Sequence, residues 1–270
     1  SMTLTLLDPQ TRIPALENLG LGEEAVAAIR RLVRRATGLF VVNGPSGQGK
    51  TTTLYSTLLE LRSPEVKIMT VEDPVELRLE GIQQAAVTPG MGFREALLAM
   101  LRSDVNVAMV SELRDAETAH LAVSAASSHR VFTALHAPDT ASAVRRLADV
   151  SGSHPGMLAD VLLGVLDQRL VRRVCPMCLQ RTEIREEDAR ALGMGARDAK
   201  RKAAAGNGCA ACRGTGFRGM TAVGHLLTMT PALRRAIETG GGVATLREAA
   251  GEGGIAADLR RAVLEELVSP

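Results

Sequence analysis

The chain has 270 residues, of which 46% are hydrophobic and 23% are charged, and its formal net charge at pH 7 is +2. This length suits one large domain or two modest ones, and the apolar content is sufficient to bury a core. A nearly balanced charge, with one tyrosine and no tryptophan, does not indicate a nucleic-acid surface, which needs basic and aromatic side chains. No apolar run reaches the ~18 residues of a membrane span and no leader peptide opens the chain, so we expect a cytoplasmic protein.

Short aliphatic segments alternate with helical patterns along the first half of the chain. Each aliphatic segment predicts a strand that is buried on both faces, and apolar residues at three- and four-residue spacing predict the helices between them. The predicted strands are 39–43, 66–71, 105–110 and 131–135, and the predicted helices are 50–61, 93–103 and 115–126. This alternation predicts an α/β fold with a parallel sheet and right-handed crossovers.

A phosphate-binding loop lies between the first predicted strand and the first predicted helix. Residues 44–51 read Gly-Pro-Ser-Gly-Gln-Gly-Lys-Thr, which fits the pattern G-x4-G-K-[ST]. In this pattern backbone N–H groups surround a polyphosphate at a helix N-terminus, the lysine reaches the β- and γ-phosphates, and the threonine binds Mg²⁺. The sequence therefore predicts binding of a nucleoside triphosphate. The loop residues expected to contact it are Gly44, Pro45, Ser46, Gly47, Gln48, Gly49, Lys50, Thr51 and Thr52.

Acidic residues follow two later strands. Residues 71–76 read Val-Glu-Asp-Pro-Val-Glu, and Glu112 follows the strand at 105–110. The carboxyl ends of strands line the ligand crevice of an open α/β sheet, and phosphoryl transfer needs an acid for Mg²⁺ and an oriented water. We interpret these acids as parts of a catalytic site, with Glu72 and Asp73 also contacting the nucleotide. Any one of them taken alone could equally be a solvated loop residue.

The pattern changes after about residue 150, and we predict a domain boundary near residues 151–155. Residues 156–174 are predicted to form one long amphipathic helix. Three short helices separated by glycines are predicted near the end of the chain, at 231–239, 243–250 and 256–268.

The only four cysteines of the chain form two C-x2-C pairs, Cys175 with Cys178 and Cys209 with Cys212. Two such pairs can supply four thiolates to a tetrahedral Zn²⁺ ion. Disulfides are disfavoured in a reducing cytosol, and a redox-active C-x-x-C motif would not need the second pair. The sequence predicts a structural zinc site, with the insert 179–208 as a helical excursion.

Four motifs taken together resemble the bacterial type II secretion and type IV pilus assembly ATPases. They are the loop at 44–51, the acidic segment at 70–76, the segments 101–104 and 112–119, and Thr-Ala-Leu-His at 133–136. The resemblance implies a RecA-like P-loop NTPase core that hydrolyses ATP with Mg²⁺. It also implies a tetracysteine zinc module, which pilus-retraction motors generally lack, so the cysteines favour a motor of assembly or secretion.

The resemblance implies catalytic roles for five residues outside the phosphate loop. Glu76 would position the attacking water, Glu112 would organise Mg²⁺ together with the loop threonine, and His136 would contact the region of the γ-phosphate. Arg102 and Arg114 match arginines that reach the nucleotide or a neighbouring subunit. From the residues alone, His136 could equally be a structural histidine, and Arg114 could form a surface ion pair of little energetic consequence.

Two serines depart from the family pattern. Ser111 stands where a glycine usually precedes the glutamate matched by Glu112, and Ser128 stands where a glycine usually precedes the histidine matched by His129. Both positions are expected to lie near the nucleotide and to affect turnover rather than binding.

The resemblance also implies partners and a domain plan. The partners would be other copies of the chain in a homo-hexameric ring, an inner-membrane platform protein and a membrane-anchored adaptor, with no direct contact to nucleic acid. Such a motor would be cytoplasmic and peripheral to the inner membrane. The expected ranges are 1–22 for a tag remnant and a linker from a missing N-terminal domain, 23–152 for the ATPase core, 153–174 for a connecting helix, 175–225 for the zinc module and 226–270 for a helical subdomain.

Two other functions fit the same motifs. One is a nucleotide-binding regulatory or scaffolding module that is stapled by zinc and has no turnover. The other is a conjugation or DNA-uptake motor of the same superfamily.

Overall fold

The computed structural model describes residues 13–194, 202–251, 253–265 and 267–269, and nine strands lie within this part of the chain. They are β1 (Gly38–Asn43), β2 (Ile68–Glu72), β3 (Gln83–Ala86), β4 (Val107–Val110), β5 (Arg130–Leu135), β6 (Leu162–Val174), β7 (Leu179–Glu183), β8 (Lys202–Gly206) and β9 (Phe217–Thr228). Seven of them form one sheet in the order β3-β2-β4-β5-β1-β6-β9. The other two, β7 and β8, form a separate antiparallel pair.

Neighbouring strands of the large sheet are parallel, except for the antiparallel pair of β6 and β9. The helices are α1 (Glu23–Val33), α2 (Lys50–Leu61), α3 (Phe93–Leu101), α4 (Ala116–Ala125), α5 (Thr140–Ser151), α6 (Pro155–Val161), α7 (Glu186–Ala191), α8 (Pro231–Glu238), α9 (Val243–Ala250) and α10 (Ile255–Leu264). The predicted α/β fold with a mostly parallel sheet is confirmed. None of the helices in the described residues has the length and apolar character needed to cross a bilayer.

The core has a layer on each face of the large sheet. On one face, side chains of α3, α4, α5, α6, α8 and α9 pack on the strands, with Leu97, Val123 and Leu147 among the fully buried residues. On the other face α1 and α2 pack on the strands through Ile29 and Leu58. A third and smaller cluster joins the cysteine-bearing insert to α10 and β9. Both faces of the central strands are therefore buried, as their continuous apolar sequences predict.

Aspartate side chains fix the start of two helices that follow strands. Asp115 accepts a hydrogen bond from the backbone N–H of Thr118 at 2.7 Å, and Asp139 accepts one from the N–H of Ser142 at 2.7 Å. Each carboxylate satisfies an N–H group that has no partner inside the helix. These caps set where α4 and α5 leave the edge of the sheet that carries the predicted site.

The prediction of one long helix over 153–174 is wrong. The helix α6 ends at Val161, and the next residue begins the strand β6, which runs to Val174. The first seven residues of β6 are all buried, because this part of the strand has a neighbour on each edge and packed layers on both faces. Its apolar run therefore lacks the alternation of a half-exposed strand, and a periodicity search cannot distinguish it from a buried helix.

The insert at 179–208 also differs from the prediction of a helical excursion. Its described residues form the antiparallel pair of β7 and β8, and α7 is a single short helix between them. The predictions for residues 1–12 and 195–201 lie outside the described residues. Because β6 and β9 complete the same sheet as β1, the predicted core of 23–152 contains only five of the seven strands of that sheet.

Candidate nucleotide site and cysteine cluster

The predicted phosphate loop lies between the end of β1 and the start of α2, at the carboxyl edge of the sheet. Gly44 and Gly49 have φ values of 148° and 74°, which favour glycine. A Cβ atom on Gly44 would lie only 2.6 Å from the carbonyl oxygen of Gln168 in β6. The loop is therefore packed closely against β6. Because β1 has β5 on one side and β6 on the other, the loop occupies the position where open α/β sheets bind ligands.

A chain of polar contacts joins the loop to the ends of β4 and β5. The ammonium group of Lys50 donates hydrogen bonds to the carbonyl oxygens of Gly44 and Pro45 at 2.9 and 2.8 Å, and it lies 3.3 Å from Nδ1 of His136. The other ring nitrogen of His136, Nε2, lies 3.1 Å from Oε1 of Glu112. Burial lowers the pKa of Lys50, and the Glu112 carboxylate partly opposes that shift. The lysine and glutamate motifs therefore meet through one imidazole ring.

Arg114 extends these contacts to the end of β2. Its Nε atom lies 3.1 Å from Oε2 of Glu112, and one of its terminal nitrogens lies 2.9 Å from Oδ2 of Asp73. The hydrogen bond to Glu112 is the main cause of a raised Arg114 pKa. The guanidinium also lies over the ring of Phe93, 5.6 Å from its centroid. Arg114 thus pairs with Glu112 and Asp73 rather than with Asp115, its neighbour in sequence.

Thr51 and Glu76 meet on the open side of the loop. The Thr51 hydroxyl donates to Oε1 of Glu76 at 3.2 Å, and the Glu76 side chain is exposed. Thr51 is the predicted Mg²⁺ ligand of the loop, and Glu76 is the predicted water-positioning residue. Hydroxyl and carboxylate oxygens are ligands suited to Mg²⁺. Thr51 and Glu112 both offer such atoms, but the two Glu112 oxygens contact His136 and Arg114 here, and the magnesium site stays a prediction.

Glu72 lies apart from the loop. Its side chain is fully buried and accepts hydrogen bonds from the hydroxyl groups of Tyr55 and Thr70 and from Nε2 of Gln84. The same Gln84 amide donates to the carbonyl oxygen of Leu77 at 2.9 Å, and its Oε1 accepts from the backbone N–H of Leu79 at 2.7 Å. No described contact joins Glu72 to the phosphate loop. The predicted contact of Glu72 with nucleotide therefore has no support in this arrangement, and its carboxylate anchors the segment that follows Glu76.

The four cysteine side chains converge at the far end of the pair formed by β6 and β9. Their Sγ atoms lie within 4.8 Å of one another, with 3.9 Å between Cys175 and Cys209, 3.9 Å between Cys178 and Cys212, and 3.8 Å between Cys209 and Cys212. A tetrahedral Zn²⁺ ion with Zn–S bonds of about 2.3 Å requires sulfur atoms about 3.8 Å apart. The cluster fits a tetracysteine zinc site and could hold that ion.

Backbone groups close to the cluster favour thiolates. The N–H groups of Cys209 and Gly216 donate to Sγ of Cys212 at 3.1 and 3.2 Å, and these bonds lower the pKa of Cys212 to about 6. Burial instead raises the pKa of Cys178 to about 12. A Cβ atom on Gly206 would lie 1.9 Å from the carbonyl oxygen of Gly216. Glycine is therefore required at this position, where the backbone before Cys209 passes close to the backbone after Cys212.

Comparison with known proteins identifies the family. The family model described as "Type II/IV secretion system protein" matches residues 1–269. The chain belongs to this family. It is 42% identical over 242 residues to type II secretion system protein E of Dickeya dadantii, and this alignment covers 88% of this chain and 48% of that protein. It is 38% identical over 256 residues to the type IV pilus assembly ATPase PilB of Thermus thermophilus, covering 92% of this chain and 28% of that protein.

Solved structures show the same fold. The crystal structure of the pilus retraction motor PilT with bound ADP aligns with a TM-score of 0.69 and 23% identity, covering 97% of this chain and 66% of that one. The ATPase DotB of Legionella pneumophila aligns with a TM-score of 0.65 and 19% identity, covering 95% and 63% of the two chains. The chain spans about half the length of its type II secretion relatives. For the Dickeya protein the share covered is 48%.

Arg102 is not brought to the site within one chain. It follows the last residue of α3, its side chain is exposed, and none of its described side-chain contacts involves the phosphate loop, Glu76 or Glu112. Its role as an arginine that reaches nucleotide or a neighbouring subunit stays a prediction.

The two serines that depart from the family pattern lie at opposite ends of the adjacent parallel strands β4 and β5. Ser111 follows β4 directly and donates its N–H to Val71 at 2.9 Å, next to Glu112. Ser128 precedes β5, whose first residue pairs with Gly38 at the start of β1. The prediction that Ser128 lies near the nucleotide is therefore wrong, because the length of β5 separates it from the loop.

Sequence reasoning missed a set of residues that hold the site from β6. Asn43 donates to Oδ1 of Asp167 at 2.8 Å, and it exchanges two hydrogen bonds with the backbone of Ala137, the residue after His136. Gln168 contacts the phosphate loop, and Arg169 pairs with Asp167 at 2.7 Å. The signal available was the row of polar residues 167–169 inside an apolar run, but the helix prediction for that segment concealed its position.

Proposed function

We propose that this chain is the ATP-hydrolysing part of a motor that powers pilin or pseudopilin assembly in type II secretion or in a type IV pilus. The observation that carries the proposal is the meeting of four motifs at one edge of the sheet. Lys50 reaches Glu112 through His136, and Thr51 reaches Glu76. Two relatives that cover most of the chain have names that refer to type II secretion and to a pilus assembly ATPase.

The arrangement supports the following division of roles. Lys50 and the backbone of the loop bind the phosphates, and Thr51 and Glu112 would hold an Mg²⁺ ion, which would neutralise phosphate charge there. Glu76 stands on the open side of the loop, where its carboxylate orients a water molecule for attack on the γ-phosphate. His136 and Arg114 hold Glu112 in place from two sides.

The proposal extends to assembly and to metal. The four cysteines hold a structural zinc ion, and the motor works as a homo-hexameric ring in the cytoplasm, bound to the inner membrane through a platform protein and a membrane-anchored adaptor. Arg102 is exposed, and in this ring it would reach the nucleotide of a neighbouring copy. The predicted division of the chain into core, zinc module and helical subdomain is part of this proposal.

Phosphate release from Mg-ATP by the full-length protein tests the function. We expect Glu76→Gln and Glu112→Gln each to lower kcat by about 10²-fold or more, whereas Glu80→Gln, an exposed change in the segment after Glu76, serves as the matched control. Equal rates of ATP hydrolysis in wild type and all variants would contradict the motor function and favour the nucleotide-binding scaffold. Strong stimulation by DNA would favour the nucleic-acid-linked motor.

A further inference from the structure

Gln168 occupies a central position between the phosphate loop and the helix that follows it. Its side chain is fully buried in β6. The amide nitrogen Nε2 donates to the carbonyl oxygen of Gln48 at 2.6 Å, and the amide oxygen Oε1 accepts from the hydroxyl of Thr53 at 2.8 Å. One side chain therefore ties the last turn of the loop and the first turn of α2 to the same strand.

The bond to Gln48 sets the orientation of one peptide group. In a trans peptide the C=O and the following N–H point in opposite directions. Since the Gln48 carbonyl faces Gln168, the N–H of Gly49 faces away from β6. The Gln48 side chain is also fixed, because its Oε1 accepts from the backbone N–H of Leu170 at 2.7 Å. A Cβ atom on Gly49 would lie 3.3 Å from Nε2 of Gln168, so the amide packs directly on this glycine.

We propose that Gln168 is a positioning residue for the phosphates of the nucleotide, because it holds the Gly49 N–H in the direction that binds them. The inference rests on the proposed function, since it takes residues 44–51 as the phosphate site. An N–H that is already aimed costs no reordering when the ligand arrives, and this preorganisation increases affinity. Phosphate contacts of this kind act on bound substrate and transition state alike, so their loss raises KM more than it lowers kcat.

Two variants separate this role from a general loss of stability. In Gln168→Met a side chain of similar size carries no amide, so the bonds to Gln48 and to Thr53 are both lost without a buried charge. In Thr53→Val the bond to Gln48 remains, and only the bond to the helix is lost. The two variants share the loss of the bond between Gln168 and Thr53, and they differ in the bond to Gln48. They form a matched pair for comparison.

Equilibrium binding of ADP and of a non-hydrolysable ATP analogue to the full-length protein, together with thermal unfolding of the nucleotide-free protein, provides the test. We expect Gln168→Met to weaken binding of both nucleotides by about 10-fold, and Thr53→Val to lower Tm while keeping Kd within about twofold. A Kd for Gln168→Met that equals the wild-type value overturns the inference and leaves the proposed function standing. The inference is also overturned if both variants lose affinity in proportion to their loss in Tm. A wild-type protein that binds no nucleotide overturns the proposed function and the inference together.

Discussion

Nζ of Lys50 lies 3.3 Å from Nδ1 of His136, and this contact connects the phosphate loop to the end of β5. An ammonium group only donates hydrogen bonds, so Nδ1 must accept, and the proton of the imidazole must then lie on Nε2. That proton faces Oε1 of Glu112 at 3.1 Å. The ring therefore has a single orientation and a single tautomer that satisfy both neighbours. Its position depends on Asn43, which binds the backbone of the next residue, Ala137.

The first prediction concerns His136. We expect His136→Ala to lower kcat for ATP hydrolysis by about 10²-fold, because Glu112 and Lys50 would both lose the group that aligns them. Binding of nucleotide should change much less. His129→Ala is the matched control, since His129 precedes the opposite end of the same strand. Steady-state phosphate release measures the effect, and similar kcat values for the two variants would contradict it.

The second prediction concerns Gln84, whose amide joins Glu72 to the segment after Glu76. We expect Gln84→Ala to lower kcat by about 10-fold or more, because loosening this segment moves the Glu76 carboxylate away from Thr51. The dissociation constant for ADP should stay near the wild-type value, since the phosphate loop is untouched.

Gln83→Ala is the control for Gln84, because Gln83 is the exposed neighbour on the same strand. A Gln84→Ala protein that turns over ATP as fast as Gln83→Ala would show that the amide does not position Glu76.

The third prediction concerns the cysteine cluster. We expect one zinc ion per chain by elemental analysis, and none in Cys212→Ser after dialysis against a chelator, because four thiolates complete the tetrahedral site. Loss of the ion should lower Tm by about 5 °C or more and increase hydrogen exchange at residues 175–183 and 202–216. Exchange in α2 should stay unchanged. Reduced and folded protein without zinc would refute the assignment.

The fourth prediction concerns the buried carboxyl group of Asp167, which is 4% exposed. Burial raises its pKa in the folded protein above the ordinary value of 3.8. Within the window from 3.8 up to the raised value, the folded state binds more protons than the unfolded state, so this group makes stability fall as pH rises. The free energy of unfolding of wild type relative to Asp167→Asn should therefore fall as pH rises through that window, and denaturant unfolding at several pH values measures it. A relative stability that rises with pH would contradict the burial argument.

The sequence predicts well those parts of the fold whose burial is complete and whose turns carry distinctive residues. The strands β1, β2, β4 and β5 read as aliphatic runs, and the glycines and lysine at 44–51 identify the loop between strand and helix. Three motif residues, Lys50, Glu112 and His136, follow strands whose carboxyl ends meet by topology. Their proximity could therefore be expected without coordinates.

Other parts could not be predicted, for two physical reasons. The strand β3 is short and polar, with two glutamines among its four residues. It joins the edge of the sheet through backbone hydrogen bonds, which do not require an apolar sequence pattern. The strand β6 has an apolar run with no alternation, which a helix can share. Gln84 and Gln168 lie on these two strands, and both therefore escaped detection. Glu72 shows a further limit of sequence motifs. It contacts Tyr55 and Gln84, whereas the adjacent Asp73, an acid of the same motif, contacts Arg114.

The strand β6 has a mechanical consequence for the whole chain. Gln168 holds the phosphate loop, and Cys175 lies seven positions later, directly after the end of the same strand, which corresponds to about 23 Å of extended backbone. The strand stays paired with β9 over this stretch, and the register of the pairing shifts once, between Arg172 and Val174. A tilt of β6 at its loop end would also displace the cysteine module, because one strand leads from the phosphate loop to the first cysteine.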